Sequence, residues 1–74
     1  MPLVRITVVE GAFSATQKRQ LVEGVTEVLV AVQDESVRAA TWVIVDEVAG
    51  GDWSTGGHVL DADEARATAA GTAA

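Results

Sequence analysis

The residue with the most chemistry to offer in this chain is Pro2, placed directly after the initiator methionine. Within a chain a proline nitrogen is an amide with no hydrogen and no basicity. At a free N-terminus it is a secondary amine that takes up and releases a proton, so loss of Met1 would turn Pro2 into a general base or a nucleophile. A proline that merely begins an edge strand is the competing reading. Around it stand a few other candidates: Trp42 and Trp53 as flat apolar surface, Arg5 and Arg38 as anion partners, and His58 after Gly56-Gly57 as a second acid–base group with an ordinary pKa near ~6.5. The tryptophans are equally suited to packing between subunits, and Arg5, Arg38 and His58 to plain solvation. Asp52 and the pair Asp46-Glu47 read as solvated carboxylates at a strand end.

The chain that must position these groups is short and acidic. At 74 residues, with no cysteine and one histidine, it has neither a disulfide nor a metal cluster to staple it, and a domain of this size buries little surface on its own. With 49% hydrophobic residues but few aromatics, it suits a protein that hides apolar surface against other copies of itself. The expected partners are therefore further copies of the chain. A net charge of −6, with Arg5, Lys18, Arg19, Arg38 and Arg66 scattered, argues against a nucleic-acid partner. No leader pattern opens the chain and no apolar run is long enough for a bilayer, which makes a soluble cytoplasmic protein the expectation.

In chain order, residues 2–10 are rich in β-branched side chains and partly alternate, which predicts a strand. Gly11-Ala12-Phe13 breaks it. Ser14-Ala15-Thr16-Gln17 then has the Ser-x-x-Gln spacing of a capping box. From residue 15 to about 32, Leu21, Val22, Val25, Val28, Leu29 and Val32 recur at spacings of three and four, predicting an amphipathic helix with that face buried. Residues 33–36 form a polar connection and 41–48 a second strand. A helix between two strands is the usual right-handed crossover of a parallel pair, and such a unit leaves a sheet face and two edges for a partner. The glycine-dense stretch from Ala49 to His58 reads as a turn, a short hairpin and a loop. After it Asp61 caps about one helical turn, and 69–74 is a frayed tail. The fold class is α+β: one β-α-β domain over 1–68 with a parallel strand pair and a C-terminal hairpin.

The Met-Pro start, the valine-rich strand ending in Glu10-Gly11, the Ser-capped helix with Gln17-Lys18-x-x-Leu21, the strand ending in Asp46-Glu47-Val48 and the segment Gly51-Asp52-Trp53-x-x-Gly56-Gly57 occur in one order. This set resembles the 4-oxalocrotonate tautomerase family over roughly residues 2–60, apart from one extra residue near Ala12-Phe13. The resemblance implies β-α-β subunits that pair into dimers with a four-stranded sheet, and three dimers in a hexamer, with a dimer as the smaller alternative. It also implies removal of Met1 and a cofactor-free enol–keto tautomerase. In it Pro2 is the general base on a small 2-oxo acid enol or 2-hydroxydienoate, and Trp53 walls the pocket.

The sequence departs from that family at the arginines that hold substrate carboxylates. Ala12-Phe13 stand where the first belongs, and Trp42 stands where the second belongs. Arginine binds a carboxylate through a planar fork that no neutral residue reproduces. Either Arg5 or Arg38 supplies the charge from another direction, or the substrate is a less charged, more aromatic enol stacked by Trp42 and Trp53. Two other readings stay open: an enzyme of hydration, dehalogenation or decarboxylation with a protonated Pro2 as acid, and a non-catalytic subunit of a mixed hexamer.

Overall fold

A computed structural model of the chain describes residues 1–69. Its elements are β1 (Leu3–Val9), α1 (Ala15–Val32), β2 (Trp42–Val48), β3 (Trp53–Thr55), β4 (His58–Leu60) and α2 (Ala62–Ala69), with 3₁₀ turns at Glu35–Ala40 and Gly50–Asp52. β1 pairs with β2 in parallel, and β3 with β4 in an antiparallel hairpin. The result is the expected α+β class with its parallel pair. The chain divides into two compact units, the first of residues 1–6 and 14–45, the second of 7–13 and 46 onward.

In the first unit α1 begins where its capping box dictates. The Ser14 hydroxyl accepts from the Gln17 amide at 3.1 Å, and the Gln17 side chain accepts from the Ser14 amide at 2.9 Å. Two backbone donors that a helix start otherwise leaves unpaired are thereby satisfied. The helix does not bury the whole face that its periodicity selects. Leu21, Val22, Val25 and Leu29 are half-buried, together with Thr26 and Val30. Val28 and Val32, expected on the same face, are 62% and 80% exposed. The valine-rich helix carries apolar residues around more than one side, and the packed stripe is displaced from that pair.

Residues 33–36 are less simple than a polar connection. Asp34 caps a 3₁₀ turn over Glu35–Ala40 by accepting from the Ser36 amide and hydroxyl, and the turn lies against α1 with Val37 buried. The strands then alternate: Leu3 and Arg5 on β1, and Trp42 and Ile44 on β2, are exposed, whereas Val4, Ile6, Val43 and Val45 are half-buried. The two-residue period of a strand places each set on one face.

The second unit holds three of the four buried apolar residues of the described chain, Val8, Val9 and Ala65. Gly11 and Gly57 turn the chain at positive φ, 80° and 81°, which costs a glycine little. Gly50 meets α2 so closely that a Cβ built on it would stand 2.4 Å from the Ala62 Cα. Asp61 caps α2 as expected, accepting from the Glu64 amide at 2.8 Å, but the helix runs for two turns rather than one. Ala69, assigned to the tail, closes that helix; the remainder of the expected tail, 70–74, lies outside the described residues.

Candidate functional site

Pro2 lies in the first unit just before β1, where its carbonyl accepts the Trp42 amide at 2.9 Å. The backbone of Pro2 is thus tied to the start of β2, while Met1 before it is 86% exposed. Trp42 follows in the same unit, 58% exposed, with Leu3 57% exposed on the neighbouring strand. Arg5, one of the two candidate carboxylate partners, is exposed on β1.

Arg38 sits in the 3₁₀ turn, where its guanidinium is shared by two carboxylates. Nε donates to Glu35 Oε1 at 2.6 Å, Nη1 to Glu27 Oε1, and Nη2 to Glu27 Oε2 at 3.2 Å. Hydrogen bonds from Arg38 hold the carboxyls of Glu27 and Glu35 below the usual carboxylate range and push the guanidinium pKa up. All three groups remain open to solvent. A substrate anion would compete with Glu27 and Glu35 for this cation.

Trp53 belongs to the second unit. Its indole Nε1 donates to the Val48 carbonyl at 3.1 Å, which fixes the ring at the start of β3. There it lines a cavity of about 300 Å³ together with Thr7, Val8, Val9, Phe13, Leu60, Ala65 and Thr68. Among the described residues the lining contains two aromatic rings and no charged side chain. Its hydroxyls come from Thr7 and Thr68, and that of Thr68 is committed to the Glu64 carbonyl at 2.9 Å. His58, also in this unit, stands 3.3 Å from a Glu64 carboxylate oxygen and is 68% exposed; it is not among the lining residues. Asp52 lies in the 3₁₀ turn before β3 and is exposed.

The candidates therefore fall into two groups. Pro2, Trp42, Arg5 and Arg38 are residues of the first unit, and Trp53 is a residue of the second. The residue that the sequence reading missed is Phe13. Gly11-Ala12-Phe13 reads as a strand breaker, yet Phe13 is half-buried and walls the same cavity as Trp53. The available signal was a large apolar side chain in a turn, where nothing but a tertiary contact rewards it.

Residues 2–63 match the family model described as Tautomerase enzyme. Probable tautomerase K2 of Dickeya dadantii (strain 3937) is 42% identical over 58 residues, covering 78% of this chain and 85% of its own. The crystal structure of DmpI from Helicobacter pylori is similar at a TM-score of 0.68 and 35% identity, covering 78% of this chain and 88% of that one. Among the described residues no helix is long and apolar enough to cross a membrane. The family anticipated from the Met-Pro start and the Trp-Gly segment is the one found, and with a match across residues 2–63 the chain belongs to the tautomerase enzyme family.

Proposed function

We propose that this member of the family is a cofactor-independent enol–keto tautomerase in which Pro2, freed by removal of Met1, is the general base. Met1 is 86% exposed while Pro2 is anchored through its carbonyl to the Trp42 amide, and this is the observation that carries the reading. Excision of Met1 would remove little packing and would leave the new amine on a fixed backbone. A free α-amino group has a pKa near ~8, and a low-dielectric surrounding disfavours its charged form. Such an amine can take the proton from the enol oxygen or from carbon and return it to the other atom, with no net change in composition.

The substrate in this reading is a small 2-oxo acid enol. Arg38 is already held by Glu27 and Glu35, which favours a monoacid with apolar bulk over a dianion. Trp53 supplies the dry wall, with Trp42, Arg5 and Arg38 as further substrate contacts, within one domain over 1–68. Assembly and location are part of the proposal, as dimers joined into a hexamer in the cytoplasm; the exposed Leu3, Trp42, Ile44, Val28 and Val32 support the assembly. The test is an enol-ketonisation assay on Pro2→Ala after intact mass has established loss of Met1. Turnover is expected to fall by roughly 10²-fold or more with the assembly unchanged. Unaltered turnover, or a retained Met1 in an active protein, would remove Pro2 from the reaction.

A further inference from the structure

We propose that Arg66, on the C-terminal helix α2, binds the carboxylate of the substrate at the edge of the cavity that α2 helps to line. Two contacts define its place in the fold. Along α2, its neighbours Ala65 and Thr68 both line that cavity. Across from the helix, its stem lies over the turn that ends β1: a Cβ built on Gly11 would stand 3.9 Å from the Arg66 Cδ, and Gly11 falls between the lining residues Val9 and Phe13. All of these residues belong to the second unit. Arg66 also lies beyond residues 2–63, the span that matches the family model, so this cation is not one that the family match assigns.

Charge narrows the choice. Arg66 is the only lysine or arginine of the second unit, among residues 7–13 and 46–74. A carboxylate drawn into an uncharged apolar cavity would lose its hydration with nothing in exchange. The acid group of a ligand therefore stays at the edge, where a guanidinium offers it a planar fork of N–H donors. Among the described residues Arg66 makes one side-chain hydrogen bond, from Nη2 to Asp63 Oδ1 at 2.9 Å, and Asp63 is 96% exposed. An exposed pair of this kind contributes little, so a ligand carboxylate displaces Asp63 at small cost. Arg38, by contrast, makes four hydrogen bonds to Glu27 and Glu35. Apart from Arg66 and His58, the ionisable side chains of the second unit are carboxylates, which would repel a second anionic group. The ligand is therefore a monoanion with an apolar tail. That it is a substrate rests on the tautomerase reading above; the binding itself does not.

The test uses the purified full chain and two unreactive probes of equal length that differ in charge, hexanoate and hexanamide. Titrations are followed by chemical shifts. The parent should bind hexanoate roughly tenfold more tightly than hexanamide, with shifts at Gly11, Ala65 and the Arg66 side chain, and added salt should shrink the preference. Arg66→Gln should bind the two probes alike, and Arg66→Lys, which keeps the charge without the fork, should retain part of the preference. Asp63→Asn removes the same ion pair while leaving the cation, and should bind hexanoate at least as tightly as the parent. This separates a lost ligand contact from a disordered helix. Pro2→Ala should keep the parent's preference, so a chain that binds hexanoate through Arg66 yet turns over no enol fails only the proton-transfer reading. Equal binding of both probes by the parent, an unchanged preference in Arg66→Gln, or a lost preference in Asp63→Asn would each overturn the proposal.

Discussion

At the scale of single residues, the ion cluster at Arg38 ties a candidate substrate cation to two carboxylates. Its guanidinium bridges Glu27 in the C-terminal half of α1 and Glu35 in the following 3₁₀ turn. Hydrogen bonding to Arg38 lowers both carboxyl pKa values from the ordinary 4.5. Groups whose folded pKa is depressed add stability above the unfolded value and lose it as pH falls through the folded one. The contribution of this cluster should therefore be complete above about pH 4.5 and fade with further acidification. The raised pKa of Arg38 has its effect only in strong alkali. Thermal melts at pH 7 and pH 3 should show a larger drop for the wild type than for Glu27→Gln, by a few degrees at most because the pair is exposed. Equal drops would mean that the cluster contributes nothing.

At the scale of elements, the sequence was most legible where a local rule left little choice. The Ser14–Gln17 box set the first residue of α1, and both of its hydrogen bonds are present. Ser14→Ala should cost about 1 kcal/mol, read as a lower midpoint in urea with an unchanged slope; a midpoint equal to that of the parent would show the box to be dispensable. The strand limits, the Trp53 hairpin and the Asp61 cap were likewise readable from β-branched runs, glycines and a single capping side chain. Legibility ended where packing decides between equivalent local patterns. Apolar spacing could not say which stripe of a valine-rich helix is covered, so Val28 and Val32 were assigned inward although they are exposed. The 3₁₀ turn over Glu35–Ala40 has no periodic signature, because a short turn depends on one cap and one anchor, here Asp34 and Val37. Phe13 became a cavity wall only once Val8, Val9, Trp53 and Leu60 surrounded the same space, a relation among residues up to tens of positions apart.

At the scale of the whole molecule, what each unit lacks is as informative as what it contains. The described residues include only four that are buried and apolar, a core too small to offset the conformational entropy of a domain this size without help. Meanwhile Leu3, Trp42 and Ile44 line one exposed sheet face, and Val28 and Val32 stand exposed on α1. A ring of three dimers needs two different contacts from every subunit, and two apolar surfaces on different elements can supply them. A lysine placed on either surface would cost an isolated chain little, since surface substitutions usually stay within about 0.5 kcal/mol. Inside an interface it would instead bury an unpaired charge. Ile44→Lys and Val32→Lys are therefore each expected to stop assembly at a species smaller than that of the parent by sedimentation velocity, and the double variant to leave single chains of reduced stability. A tautomerase assay on the same fractions links assembly to activity. Where neighbouring copies complete the pocket, smaller species should lose turnover more than they lose helix content. Variants that sediment like the parent would show that neither surface joins the subunits.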